Sequence, residues 1–291
     1  MGYDRPIMSN LSWQIGNVRV TRVEESCSTF PYIGLFPNVS EEDWRGHLDW
    51  LQPGFADAEG NLVLSVHGLV VESQGRTILV DTCMGPHQVE GIPSPEHSPF
   101  LENLEAAGFP LDSIDVVLCT HMHFDHVGWN TREVDGRWVP TFPRARYLFA
   151  RVEWEHWSRE KELGFAATLN ESVRPLIDAD QADLVESDHK LTDEVWLEAT
   201  PGHTPGHVAV RMASDGAAAM ITGDLTHHPV QWAEPQWGML ADSDSAQAVA
   251  TRRRLIDAHA DGGLLVIGTH YAPPTAGEIV SHEGGWRFRA R

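Results

Sequence analysis

Thr120-His121-Met122-His123-Phe124-Asp125-His126 places three imidazoles and a carboxylate on seven consecutive residues, directly after the apolar run Val116-Val117-Leu118-Cys119. Neutral imidazole and carboxylate are the nitrogen and oxygen donors preferred by zinc and neighbouring divalent metals. Four such groups this close in sequence exceed what ordinary core hydrogen bonding satisfies. The segment therefore predicts a bound metal and a metal-assisted reaction. At i and i+2 in extended chain, His121 and His123 point to one side. Asp125 and His126 then turn away as a second group.

Three further donors follow strand-like runs. His203 lies in Thr200-Pro201-Gly202-His203-Thr204-Pro205-Gly206-His207, where Pro and Gly fix a tight loop. Asp224 follows Met220-Ile221-Thr222-Gly223, and His270 follows Leu265-Val266-Ile267-Gly268-Thr269. A single His or Asp after a strand is ordinarily a turn or capping residue. Together, His121, His123, Asp125, His126, His203, Asp224 and His270 outnumber the about four or five ligands one zinc accepts. Two ions roughly 3.5 to 4 Å apart, sharing one carboxylate, use them all.

The elements that must position these donors are legible as alternating β-rich and helical runs, which indicates a layered α/β or α+β fold. Strands are predicted over Val18 to Glu24, Leu62 to Glu72, Thr77 to Asp81, Val116 to Thr120 and Tyr147 to Ala150. Four more cover Val195 to Ala199, Val208 to Met212, Ala218 to Thr222 and Leu264 to Thr269. Ser98 then Pro99 reads as N-cap and N1 of a helix over Phe100 to Ala107, closed by Gly108. A second helix is predicted from Ser245 to Ala260, and one or two more between Val152 and Asp180. The segment Phe30 to Asn61, residues 30–61, is rich in Pro, Gly and aromatic residues. It reads equally as a lid or rim over a pocket and as an irregular loop pinned by aromatic packing. No repeat or Ser/Gly-rich linker divides the chain, so residues 1–291 are expected to form a single domain.

Composition narrows the partners. Forty-two acidic against 21 basic residues leave a formal charge of −21, which repels phosphate backbones and anionic membranes. A small-molecule substrate is expected, with no nucleic acid or membrane partner. The three cysteines, Cys27, Cys83 and Cys119, offer no disulfide framework or CxxC knuckle and fit a reducing cytoplasm. Met1 to Gly16 has no apolar signal core, and no window is long and apolar enough to span a bilayer. Trp129, Trp232 and Trp237, three of 11 tryptophans, lie near the ligand loops and suit either a pocket lining or core packing. His47, His67, His87, His97, His156, His189, His259 and His282 lack ligand-like spacing and read mostly as surface or loop residues.

His-x-His-x-Asp-His followed by Gly-His, Gly-Asp and Gly-Thr-His, each closing a strand, resembles the metallo-β-lactamase superfamily of hydrolases. Leu79-Val80-Asp81-Thr82 is similar to that family's early strand ending in an aspartate. The resemblance implies an α+β, four-layer αββα sandwich with two mixed β-sheets face to face, helices outside and metals at one edge. It implies that His121, His123 and His203 hold one zinc ion, and Asp125, His126 and His270 a second. Asp224 bridges them, and Asp81 orients the ligand loop or merely caps a turn. Manganese, iron or cobalt can replace zinc in such sites, and the family allows a homodimer.

The implied chemistry is hydrolysis by a hydroxide held between two zinc ions, with Asp125 or Asp224 carrying a proton. No Gly-x-Ser-x-Gly elbow competes with this. Gly223-Asp224-Leu225-Thr226-His227-His228-Pro229-Val230-Gln231-Trp232 resembles the branch of lactonases and organophosphate or aryl-ester hydrolases. The leading expectation is therefore a lactonase or small aryl esterase. Phosphotriester or phosphodiester hydrolysis is the alternative, and an iron-dependent redox reaction is a third. The best-known lactonases carry a tyrosine three residues after the bridging aspartate, where this chain has His227. An imidazole there donates to an oxyanion, or His227 and His228 simply hold the loop.

Overall fold

The computed structural model describes residues 11–87, 98–159 and 165–291. Its strands, in chain order, are β1 (Ser12–Ile15), β2 (Val18–Phe30), β3 (Leu62–Ser73), β4 (Arg76–Val80), β5 (Val116–Cys119), β6 (Thr131–Val134), β7 (Arg137–Pro140) and β8 (Arg146–Ala150). They continue with β9 (Ala182–Val185), β10 (Val195–Ala199), β11 (Val208–Ser214), β12 (Ala217–Ile221), β13 (Leu265–Ile267), β14 (Ala276–His282) and β15 (Gly285–Ala290). The helices are α1 (Tyr32–Leu35), α2 (Glu41–Arg45), α3 (Leu48–Leu51), α4 (Phe100–Ala106), α5 (Phe124–Val127), α6 (Arg151–Trp157), α7 (Phe165–Ser172), α8 (Arg174–Asp178), α9 (Val230–Ala233) and α10 (Ser245–His259).

Two mixed sheets result, ordered β1-β2-β3-β4-β5-β8-β9 and β10-β11-β12-β13-β14-β15, with β6-β7 a separate hairpin. Successive strand residues face opposite ways, so strands apolar at every position bury both faces. In β5, Val116 and Leu118 enter the layer between the sheets, while Val117 and Cys119 face outward. In β12, Ala219 and Ile221 face inward and Met220 outward. The inner layer thus draws Leu69, Val71 and Ile78 from one sheet and Val208, Val210 and Ile267 from the other. Outside the first sheet lie Phe100, Leu104, Val173 and Leu176 of α4 and the α7–α8 region. Outside the second lie Leu255 and Ile256 of α10. This is the expected αββα sandwich.

Strand direction gathers the ligand loops at one edge. β4, β5 and β8 pair parallel, so the chain leaves β4 at Asp81 and β5 at Thr120 on the same side. β12 and β13 are also parallel, and β10 shares their direction because it is antiparallel to β11, which is antiparallel to β12. The segments carrying His203, Asp224 and His270 therefore leave the second sheet together. A bridge between Leu64 and Tyr271, with Ser65 N–H donating to His270 C=O at 3.0 Å, ties the two sheets at this edge.

Several expectations change. Ser98 is not the N-cap of α4: Pro99 occupies it, and the Ser98 hydroxyl instead donates to buried Glu25. β1, β6, β7, β9, β14 and β15 were not foreseen. The segment 30–61 contains the short helices α1, α2 and α3 between irregular stretches, pinned around buried Phe36, Trp44, Leu51 and Phe55. Trp44 stacks on Tyr32 at 5.4 Å, and its indole N–H donates to Gly60 C=O at 2.7 Å. Trp232 belongs to the core rather than to a pocket wall. His67 and His87 are buried rather than superficial, and His97 lies outside the described residues. Among the described residues, no helix is long and apolar enough to cross a membrane.

Candidate metal centre

The loop after β5 is held from behind by Asp81, which sits at φ +59, a conformation few side chains adopt. Its carboxylate accepts from Thr120 N–H at 2.7 Å and from the Thr120 hydroxyl at 2.9 Å. Asp81 Oδ2 also lies 2.8 Å from His126 Nδ1, matching its expected orienting role. His123 ends the extended stretch as N-cap of α5, and that turn carries Asp125 and His126 away from His121. Asp224 lies in a tight turn entered by Gly223 at φ +53. A Cβ on Gly223 would sit 2.5 Å from His207 Nε2, so only glycine fits.

The candidate donors gather in two groups. One atom each from His121, His123, His203 and Asp224 fall within 4.8 Å of one another, and so do atoms of Asp125, His126 and His270. Asp224 joins them. Its Oδ2 lies 3.7 Å from His121 Nε2 and 3.4 Å from His203 Nε2. Its Oδ1 lies 3.3 Å from His126 Nε2 and 3.2 Å from His270 Nε2. Asp125 completes the second group at 3.5 Å from His270 and 3.7 Å from His126.

The protonation pattern fits cations between these atoms. His126 Nδ1 faces Asp81, and His270 Nδ1 faces Ser65 C=O at 3.0 Å, so in each neutral ring the proton belongs on Nδ1. Their Nε2 lone pairs then oppose each other at 3.3 Å, which is repulsive unless a cation or a proton intervenes. His203 is alike: Nδ1 faces Asp242 at 3.1 Å, leaving Nε2 toward His123 Nδ1 at 2.9 Å. His121 Nε2 is buried with no hydrogen-bond partner among the described residues. A divalent ion in each group would satisfy these atoms.

Electrostatics agree. Burial pushes His121, His123 and His203 well below the usual imidazole range, which keeps them neutral and able to ligate. Burial opposes ionisation of Asp224, yet His126, His270, His227 and His121 hold its carboxyl well below the usual carboxylate range. Against burial, Asp224, Asp81 and Asp125 push His126 well above the usual imidazole range, and Asp224 and Asp125 raise His270. At those two rings the surrounding carboxylates favour positive charge where a metal ion would sit.

His227 and His228 separate in role. His228 is fully buried, its Nε2–H donating to Phe55 C=O at 2.8 Å while Nδ1 accepts from Val230 N–H at 3.3 Å. It is a packing residue between the 30–61 segment and the turn. His227 faces the centre, with Nε2 2.9 Å from Asp224 Oδ2. Among the described residues, neither of its ring nitrogens makes a hydrogen bond of good geometry.

Sequence reasoning missed three supporting side chains. Buried Glu153 of α6 accepts from Met122 N–H at 3.1 Å and Gly206 N–H at 2.8 Å, joining the His121–His123 loop to the loop bearing His203. His207 Nε2 accepts Asp224 N–H at 2.8 Å. Asp242 receives His203. Only the Gly-His that ends the His203 segment gave any signal for His207; Glu153 and Asp242 act through contacts distant in sequence.

Comparison with known proteins places this geometry. The family model for the metallo-beta-lactamase superfamily matches residues 62–270. An N-acyl homoserine lactonase of Bacillus cereus is 25% identical over 212 residues, 67% of this chain and 77% of its own. A probable metallo-hydrolase of Bacillus subtilis (strain 168), YflN, is 28% identical over 191 residues, 59% of this chain and 66% of its own. Among solved structures, the hydrolase AbOPH of the beta lactamase superfamily superposes with a TM-score of 0.84 at 22% identity, covering 99% of each chain. AidC, a dizinc quorum-quenching lactonase in complex with a product, superposes with a TM-score of 0.81 at 20% identity, covering 97% of this chain and 99% of its own. At such identities the two structures bear on the fold alone.

Proposed function

The chain belongs to the metallo-beta-lactamase superfamily and is a metal-dependent hydrolase, and from that premise we propose a dinuclear zinc enzyme that opens a lactone or cleaves a small aryl ester. The observation that carries the reading is Asp224, whose two carboxylate oxygens face two separate donor groups at 3.2 to 3.7 Å. In this reading His121, His123 and His203 hold one ion, Asp125, His126 and His270 hold the other, and Asp224 lies across both. Bound there, a pair of divalent ions supplies a nucleophilic water at neutral pH and a Lewis acid for the ester carbonyl.

The chain's own residues do the rest. Asp81, Asp242 and Ser65 C=O fix three imidazoles from behind, so the lone pairs are aimed before substrate arrives. His227, buried and with its ring nitrogens unsatisfied, donates to the carbonyl oxygen as that oxygen gains charge. Asp125, whose side chain is 19% exposed against 3% for Asp224, takes the proton released by the attacking water and passes it to the departing alkoxide oxygen as the acyl C–O bond breaks. A lactone or ester is favoured because the Bacillus cereus relative is an N-acyl homoserine lactonase.

The test is removal of metal by chelation, restoration with zinc, and parallel rates on a lactone, an aryl ester and an aryl phosphotriester. Activity lost on chelation, regained with about two zinc ions per chain, and absent in His123→Ala supports the reading. Full activity in metal-free protein sinks it. A phosphotriester turned over fastest replaces the ester reading with the phosphotriesterase one.

A further inference from the structure

We propose that Asp242, backed by Arg252, is the positioning residue for His203 and sets the affinity of the half-centre formed with His121 and His123. The inference rests on the two-ion reading above and concerns only how one half is held. Both Asp242 oxygens are committed. Oδ1 faces His203 Nδ1 at 3.1 Å, while Oδ2 accepts Met239 N–H at 3.0 Å and lies 3.8 Å from Arg252.

Arg252, within α10, is fully buried. Its guanidinium donates to Pro235 C=O at 2.9 Å, to Leu225 C=O at 3.1 Å and to Trp237 C=O at 3.4 Å. A buried guanidinium needs a counter-charge, and Asp242 is the carboxylate beside it. Because Leu225 directly follows Asp224, one cation anchors both the turn that carries Asp224 and the loop that carries Asp242.

The rest of the α10 N-terminal region closes on the same loop. Ser243 N–H donates to His203 C=O and Asp244 N–H to Gly202 C=O, each at 2.9 Å, and the Thr251 hydroxyl donates to Pro201 C=O at 2.7 Å. Gly202, at φ +138, lies so close that a Cβ would meet Ala248 N at 2.3 Å. His203 therefore has one orientation, with Nδ1–H on Asp242 and Nε2 toward the centre. His126 has the matching carboxylate in Asp81 on the other half, so each half holds one carboxylate-backed imidazole.

The full chain, stripped of metal, is titrated with zinc against a chromophoric chelator, and with cobalt while visible absorption is followed. Wild type is compared with Asp242→Ala, Asp242→Asn and Asp81→Asn. In Asp242→Ala one ion is expected to bind about 10- to 100-fold more weakly, with a changed cobalt spectrum, while the other binds as in wild type. Asp81→Asn weakens the opposite ion. Asp242→Asn falls between, since its amide oxygen still accepts from His203 but no longer faces Arg252 with a charge. Wild-type affinity for both ions in a folded Asp242→Ala, or equal weakening of both, overturns the proposal. If Asp242→Ala does not fold, Asp242→Asn decides by the same criterion. A wild type that takes one ion defeats the two-ion reading instead, and Asp242 is then judged on that ion.

Discussion

His227 Nε2 stands 2.9 Å from Asp224 Oδ2, and the His227 ring lies parallel to that of His270 with centroids 5.6 Å apart. His203 meets the same ring edge-on at 4.7 Å. Among the described residues nothing hydrogen-bonds its nitrogens in good geometry, which supports the proposed role of this buried imidazole toward the reacting group. His227→Phe keeps the ring volume and removes both nitrogens. It is expected to lower kcat roughly 100- to 1,000-fold, the usual loss of one oxyanion donor, with zinc content unchanged. A fall in bound zinc that tracks the loss of rate would make His227 a ligand instead. His227→Tyr, which restores the phenol of the best-known lactonases, should recover part of the rate, because a phenol also donates to a developing oxyanion.

Asp224 turns one carboxylate oxygen toward each donor group. Removing it is therefore expected to affect both of the proposed ions. Asp224→Ala is expected to retain about one zinc ion or fewer after gel filtration, where wild type retains about two. Metal content by elemental analysis decides it, and two tightly held ions in the variant would exclude a bridging role.

The candidate donors were legible because each sits within a few residues of a strand end, and strand ends are written in local patterns. His203, Asp224 and His270 needed only an apolar run and a turn to be found. Their supports were not legible, because Glu153, Asp242 and Arg252 reach the site from α6 and from the α10 region through contacts that no spacing encodes. Some missed strands did carry a signal. Asp135-Gly136, with φ of 51 and 75, forms the two-residue turn of the β6–β7 hairpin, a known Asp-Gly signature. Glu283-Gly284 adopts the same geometry between β14 and β15 without it. Ser98 misled because a hydroxyl before a helix has other partners available, here Glu25.

Gly223 tests how tightly the Asp224 turn is specified. Its φ of +53 and the 2.5 Å approach of His207 Nε2 to a Cβ both oppose any side chain. Gly223→Ala is expected to cost about 1–3 kcal/mol and, by moving Asp224 N–H off His207, to weaken zinc binding as well. Chemical unfolding of the metal-free chain and a zinc titration read the two effects separately. Wild-type stability would show that the turn relaxes without strain.

A stability measurement separates a packed wall from a lid for the segment 30–61. Trp44 is buried against Tyr32, His228 and Trp237. Trp44→Ala is expected to lower stability by about 3–5 kcal/mol, typical of a large aromatic removed from a core. A lid would lose almost none, and urea midpoints distinguish the two.

His228 makes the stability of this wall depend on pH. Burial pushes its pKa down to about 4 in the folded chain, while in the unfolded chain the ring titrates near the usual value of about 6.5. As pH falls through that interval the unfolded state takes up the proton first, so it binds more protons than the native state and stability falls with falling pH. The contribution is complete above about 6.5 and is lost progressively toward about 4, a loss of roughly 3 kcal/mol across the interval. Protonation would also place a second proton on Nδ1, which now accepts from Val230 N–H. His228→Gln keeps an amide able to reach Phe55 C=O and has no proton to gain. Its urea midpoint should therefore lie below wild type at pH 7.5 and converge on it by pH 5. Burial lowers His207 to about 4 as well, so both proteins should keep some acid sensitivity. A gap between them that stays constant from pH 7.5 to 5 would show that His228 does not titrate in this interval.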